Sequence, residues 1–443
     1  MPIEFGHKTW NERWAAQLPP HQSLRGSILA AGLGRRLEPL TKHHLPKPLF
    51  PIGGRVPIAE LWVRKMIEAG ISDVSMNVCV LADSIRRHFD NGAAFGINIG
   101  FVHEDVPTGT LGGVCKQALG PHAKTVVAGE PRPDVANFEG STLLVPSGDI
   151  VTSFDATLIQ EMYDLHRRRG AALTMVVNPI PAARRKDFGT VILDATEDHR
   201  GGLRQSGRIV GFAEKDPNSP SNLNNASIYL IETELLRTLD ALRTEAAVGV
   251  DAPFYDFGKH VFPALLGQLP QARIGTDYPM LAVRYDGEWF DVGTKRDYLR
   301  VNEHYLAGKI AGPTSYSPTA WGQCGDGVEM DLRHVRIVPP VVIGSRCTIE
   351  SGAQLGPHAV IGDGWTVGAN AVIQHSVLWG AETHHARPLP MEVAPGVRIS
   401  RCIVAGGRVD RDVEDATVRP ADDNDGPGLA VLSIDSVPQG PRA

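Results

Sequence analysis

The chain has 443 residues, a formal net charge of −6, 42% apolar and 21% charged residues. This is the balance of a globular protein with room for two or three domains, and its acidic charge argues against nucleic acid as a partner. No stretch approaches the roughly 20 apolar residues of a membrane span, so no membrane is expected either.

The opening residues are polar and lack the apolar core of a signal peptide. Cys79, Cys115, Cys324, Cys347 and Cys402 are scattered and form no CxxC. That usage suits a reducing compartment, offers no zinc cluster, and points to a cytoplasmic location.

Residues 1–25 read as an N-terminal extension carrying Trp10 and Trp14. From there "SILAAG" reads as a strand and "PIAELWVRKMIEAG" as an amphipathic helix closed by Gly70. "DVSMNVCV", "LADSIRRHF" and "GINIGFVHE" continue as strand, helix and strand. "STLLVPSGDI" and "ALTMVVNP" are further strands, and residues 120–140 form a long excursion between elements. The rhythm predicts an α/β domain over residues 26–308: a Rossmann-like, mostly parallel sheet with helices on both faces. Ligands on such sheets sit beyond the carboxyl ends of the strands.

The stretch "ILAAGLGRRLEPLTKHHLPKPLFPIGG" (Ile28–Gly54) joins a strand to a glycine turn and a proline-stiffened basic loop. GxxxxGK[ST] is absent, and Gly32-x-Gly34 lacks the third glycine of a dinucleotide fingerprint. Small residues (Ala30, Ala31, Gly32) leave room for a flat ring against the backbone. Backbone N–H groups with Arg35, Arg36, Lys42 and Lys47 can cradle a polyphosphate.

Beyond about Gly308 the pattern changes. Ile337, Ile343, Ile349, Leu355, Ile361, Val367 and Ile373 fall six residues apart, and Cys347, Ala353, Ala359, Trp365, Ala371 and Val377 follow four residues behind six of them. Val397, Ile403 and Val409 resume the period after an interruption. A fixed six-residue period predicts a β-solenoid over residues 325–415, a left-handed β-helix of hexapeptide repeats. Residues 416–443 read as a partly disordered tail.

"LAAGLGRRLEPLT…LPKPLFPIGG" resembles the N-terminal signature of the sugar-nucleotide pyrophosphorylases, the nucleoside-triphosphate:sugar-1-phosphate nucleotidyltransferases. That family's pattern reads approximately LAAGxGTRLxPLT…PKPxxPxxxKPxI. "HEDVPTGTLGG", "LLVPSGDIV", "GFAEKD", "NNASIYL" and "EWFDVGTKRDYL" resemble its later segments in order, over about Ser27 to Leu306. The resemblance implies attack of a sugar 1-phosphate on the α-phosphorus of a nucleoside triphosphate, with pyrophosphate leaving.

On that likeness Arg36 and Lys47 would hold the triphosphate, and Asp149 and Asp291 would be catalytic carboxylates and ligands of Mg²⁺. Leu29, Ala30, Ala31, Gly32, Gly34, Glu104, Gly109 and Thr110 would contact the nucleotide. Gly148, Glu214, Lys215 and Asn225 would contact the sugar phosphate. Glu104 is expected to accept paired hydrogen bonds from guanine, which favours a mannose-1-phosphate guanylyltransferase-like member using GTP. Departures from the pattern are Arg35 for threonine, Ser147 for asparagine, Asp216 for proline and Ser227 for glycine.

Three alternatives stand beside this reading. One is another sugar and base, such as glucose or heptose 1-phosphate with dTTP, UTP or ATP. A second is a catalytically weak regulatory subunit that binds sugar nucleotides. The third makes the solenoid an acyltransferase with His358, His375, His384 or His385 as base. For the solenoid itself the expected role is homo-oligomerisation or regulation.

Overall fold

The computed structural model describes residues 23–120, 138–246, 256–269, 278–310, 316–380, 390–421 and 429–436. Most of the expected Trp10/Trp14 extension and of the 120–140 excursion, His384, His385 and half of the tail lie outside them, while Ala416–Pro420 and Leu429–Ser433 of that tail are strands. The chain divides into two compact units, one of residues 1–32 and 62–289, the other of residues 33–61 and 290–443.

The first unit is built on a nine-stranded sheet. In chain order its elements are β1 (Leu24–Leu29), α1 (Ile58–Glu68, belonging here from Trp62 on), β2 (Asp73–Val78), α2 (Ala82–Phe89), β3 (Asn98–His103), α3 (Gly109–Leu119) and β4 (Thr142–Pro146). There follow α4 (Ala156–Arg168), β5 (Leu173–Pro179), β6 (Gly189–Asp198), β7 (Gln205–Glu214), β8 (Leu223–Glu232), α5 (Thr233–Ala246) and β9 (Met280–Arg284). The strand order is β3-β2-β1-β4-β8-β5-β9-β7-β6.

Strands β3, β2, β1 and β4 pair in parallel, as do β5 and β9. Only β8 and β7 run against the rest, through antiparallel pairs with β4, β5, β9 and β6. The sheet is therefore mostly parallel in direction, as the β-α rhythm predicts, with β8 inserted where the strand order changes. The strand expected at "SILAAG" begins earlier and stops at Leu29, so Ala30–Gly32 are loop residues at its carboxyl end.

One core lies under α3 and α5, where Leu111, Val114, Leu119, Leu235 and Leu239 pack on Leu143, Val145, Met175 and Ile231. Each large apolar side chain so buried contributes about 1.5–3 kcal/mol. α4 is started by Asp155, whose carboxylate accepts from Leu158 N at 3.0 Å.

In the second unit α6 (Lys295–Leu306) starts from a capping box, Thr294 and Asp297 bonding each other's backbone N–H. Its Tyr298 donates to the Pro51 carbonyl at 2.5 Å, and the Phe50 ring meets Tyr298 and Trp379 edge-on at 5.3 and 4.9 Å. The rest is a β-helix of three parallel sheets. Val341 pairs with Ala359, Thr348 with Thr366 and Gln354 with Val372, each three hexapeptides further on.

The period behaves as the sequence predicts. Ile343, Leu355, Ile361, Val367 and Ile373 are fully buried, and so are Cys347, Ala353, Ala359 and Ala371 in the same core. Trp365 occupies one of these small-residue positions and is still buried, because its indole donates to the Trp379 carbonyl at 2.9 Å. His375 Nδ1 lies 3.0 Å from Glu303 of α6, and its ring stands 5.2 Å from that of His358.

All five cysteines are free thiols. Among the described residues no helix is long and apolar enough to cross a membrane.

Candidate active site

In the first unit the loop after β1 is held from beside and below. Ala30 N donates to Asn77 Oδ1 at 2.8 Å, and Asn77 Nδ2 donates to Glu104 Oε1 at 2.6 Å. Thr108 donates to Glu104 Oε2 through both its backbone N–H and its hydroxyl, each at 2.7 Å. Ala30 and Ala31 are buried, Leu29 packs partly on the core, and Gly32 is exposed.

Glu104 is only 1% exposed and both of its oxygens already accept from the protein. The carboxylate expected to read guanine is thus the tie between β2 and the 104–108 loop. Asn77, which the sequence reading missed, completes that tie. An asparagine among the apolar residues Val74, Met76 and Val78 was the available signal, since a buried amide needs partners. Gly109 and Thr110 open α3 and are partly exposed, and the Thr110 hydroxyl accepts from Phe257 N at 2.8 Å.

At the end of β4 Ser147 N bonds the Ser227 carbonyl and Gly148 N bonds the Leu29 carbonyl, at 2.9 and 2.8 Å. A Cβ on Gly148 would stand 2.9 Å from that carbonyl oxygen, so only glycine permits this approach. Asp149 follows, partly exposed, with Oδ1 accepting from the Ser147 hydroxyl at 2.5 Å. Beneath it α1 anchors the turn: Trp62 Nε1 donates to Ile150 O at 2.8 Å, and Lys65 Nζ donates to Thr152 O and Phe154 O at 2.6 and 2.7 Å. Burial lowers the Lys65 pKa to about 8, against the pull of Asp155 and Glu68.

The remaining residues expected at the sugar lie at the ends of β7 and β8. Glu214 is partly buried and its pKa is raised, first by burial and then by the neighbouring Asp256 carboxylate. Lys215 is exposed and takes a left-handed φ of 53°. Asn225 donates through Nδ2 to the Tyr229 hydroxyl at 2.9 Å and accepts from Ser227 N at 3.0 Å. Asp256 and Trp289 were also missed. Asp256 caps the turn of Phe257–Val261, and Trp289 Nε1 donates to Ala226 O at 2.9 Å.

In the second unit Gly34, at φ 61°, starts a short helical turn, Arg35–Leu37, that buries Leu37 and exposes Arg35 and Arg36. The Arg36 guanidinium lies against the Gly293 backbone, where a Cβ would stand 2.6 Å from Nη2. Lys47 sits between Pro46 and Pro48 in a second turn, and its Nζ lies 3.4 Å from Asp291 Oδ1. The two side chains are 9% and 29% exposed.

Asp149 thus belongs to the first unit and Asp291 to the second, each partly exposed at a strand end. Among the described residues no group of three or more His, Cys, Asp or Glu side chains could hold a metal ion. Each of the two aspartates is by itself a hard oxygen donor of the kind Mg²⁺ takes, one or two at a time, completing its shell with phosphate oxygens and water.

Residues 25–308 match the family model described as nucleotidyl transferase, and residues 334–377 match that of the bacterial transferase hexapeptide (six repeats). The chain is 27% identical to a UTP–glucose-1-phosphate uridylyltransferase of Synechocystis sp., over 86% of this chain and 87% of that one. It is 28% identical to a mannose-1-phosphate guanylyltransferase of Mycobacterium tuberculosis, over 78% and 82%. A glucose-1-phosphate adenylyltransferase small subunit of Triticum aestivum is 25% identical over 99% of this chain and 89% of its own.

Proposed function

Because the chain belongs to the nucleotidyl transferase family, whose model covers residues 25–308, we propose that it condenses a nucleoside triphosphate with a sugar 1-phosphate. The products are a nucleotide sugar and pyrophosphate. The observation that carries this reading is the buried Lys47 ammonium fixed 3.4 Å from the Asp291 carboxylate.

A phosphate oxygen of the sugar 1-phosphate attacks the α-phosphorus in line. As that P–O bond forms, the bond to the β-phosphate bridge breaks and its electron pair leaves on pyrophosphate. Two anions must meet, so charge neutralisation and positioning supply most of the rate. Arg36 and Lys47 hold the triphosphate and stabilise the charge gathering on pyrophosphate. Lys215, exposed at the end of β7, receives the incoming phosphate. Glu214 and Asn225 bond sugar hydroxyls, and the bare backbone of Gly148 lets the ring lie close.

Ala30, Ala31, Gly32, Gly109 and Thr110 contact the nucleotide chiefly through backbone. Asp149 and Asp291 are the residues that would hold Mg²⁺, which when bound supplies charge neutralisation at the phosphate oxygens.

Within this class the narrower reading is GTP with mannose 1-phosphate. It is supported by the likeness of the 104–112 segment to the guanylyltransferase branch and by the 28% identity to the mycobacterial relative, not by the Glu104 carboxylate. Pyrophosphate release over a panel of sugar 1-phosphates and all nucleoside triphosphates, with Mg²⁺, tests both levels. Fastest turnover with another pair replaces the narrower reading. No turnover with any pair overturns the enzyme reading and leaves a sugar-nucleotide-binding subunit.

A further inference from the structure

Two cations open α6: Lys295 and Arg296 occupy its first turn, directly after the Asp291–Thr294 segment. The start of a helix is its positive end, so cations there are disfavoured unless something compensates them. Lys295 is moreover only 1% exposed, and a buried ammonium needs partners.

Those partners come from the far end of the chain. Lys295 Nζ donates to the Ser436 carbonyl at 2.8 Å and lies 3.2 Å from its hydroxyl. Arg296 grips Asp435 with two parallel bonds of 2.5 and 2.6 Å, and stands 3.5 Å from Asp415. The segment that brings them is itself anchored. Strand Leu429–Ser433 pairs antiparallel with Ala416–Pro420, and buried Ile434 donates its N–H to the Asp415 carbonyl at 2.7 Å.

From Lys295 the connection to the site is short. Thr294 caps α6, Gly293 N bonds the Asp291 carbonyl at 2.7 Å, and Arg36 lies against Gly293.

We propose that Asp435 and Ser436 form a clip on Lys295 and Arg296 that positions the Asp291–Gly293 turn, so that the end of the β-helix sets the geometry of catalysis. The role given to Asp291 rests on the function proposed above; the clip itself does not. Lys295, Arg296, Asp435 and Ser436 are positioning residues, with no contact to substrate required of them.

The test compares the full chain with one ending at Ile434, which keeps the last strand in place. Both are made also in a Lys295→Met/Arg296→Gln background, where the charges needing compensation are gone. Truncation of the parent chain should speed amide exchange over residues 291–297 and lower kcat about 10-fold or more, as expected for a displaced catalytic group. KM for the sugar phosphate should stay within about twofold, since binding through Glu214 and Asn225 is left alone. In the double-variant background truncation should add little to either readout. Unchanged exchange over 291–297, or equal losses in both backgrounds, would overturn the clip. Faster exchange with unchanged kcat would keep the clip and remove its catalytic role. If the full chain turns over no substrate pair, amide exchange still decides.

Discussion

Lys47 and Asp291, 244 residues apart in sequence, meet with Nζ 3.4 Å from Oδ1. Lys47 is nearly buried while Asp291 keeps a partly exposed face, so the pair holds one cation and one carboxylate in fixed register. Asp291→Asn should lower kcat about 10²–10³-fold, the scale of losing one aligned electrostatic group. Lys47→Met should do much the same. The double variant should be little worse than the worse single one, because groups acting as a unit are not additive. Steady-state kinetics of the four proteins checks this, and strictly additive losses would show that the two act apart.

Glu104 gives the second prediction. Its Oε1 accepts from Asn77 and its Oε2 twice from Thr108. Glu104→Gln turns one of those acceptors into a donor facing a donor. An unmet buried donor costs about 1–3 kcal/mol. The variant should melt earlier and lose kcat/KM for every nucleoside triphosphate alike, with its order of base preference unchanged. A change in that order would restore the base-reading role to Glu104.

Much of the scaffold was legible because periodicity is local. The β-α rhythm needs only neighbouring residues, and the hexapeptide period repeats until chance is excluded, which is why Ile343 through Ile373 could be placed inward. Long-range choices left weaker traces. Nothing near Leu223–Glu232 says that this strand enters the sheet antiparallel beside β4. The residue type of Glu104 did not reveal that donors from Asn77 and Thr108 already engage both of its oxygens. Nothing in the sequence around Lys295 and Arg296 points to Asp435 and Ser436, which the structure places against them. In each case the deciding partner lies on another element, and no spacing rule reaches it.

Ser227 stands where the family pattern has glycine, and the structure shows what that substitution meets. Its φ is 57°, in the left-handed region that costs a residue with a Cβ about 1–2 kcal/mol. Its carbonyl accepts from Ser147 N at 2.9 Å, which ties the strained position to the Gly148–Asp149 turn. Ser227→Gly should raise stability by about 0.5–1 kcal/mol, the relief being partly offset by the greater freedom of glycine in the unfolded chain. Denaturant unfolding checks the sign. A destabilised variant would show that the serine hydroxyl contributes more than its backbone costs.

Glu214 yields a pH dependence. Burial first, then Asp256, raise its pKa above the ordinary 4.5, so the folded chain holds this proton to higher pH than the unfolded chain does. Stability from this group is therefore fully present below about pH 4.5 and is lost as pH rises through the raised value. Near neutrality the fold carries a carboxylate it disfavours. Glu214→Gln should accordingly raise Tm at about pH 7.5, and the gain should shrink towards pH 4.5. The same variant should raise KM for the sugar phosphate, because an amide is a poorer acceptor for sugar hydroxyls than a carboxylate. Thermal unfolding of both proteins across this range reads the first effect, and a Tm gap independent of pH would refute it. Steady-state kinetics reads the second. A stabilised variant with weakened sugar binding would mark Glu214 as a position where stability is given up for recognition.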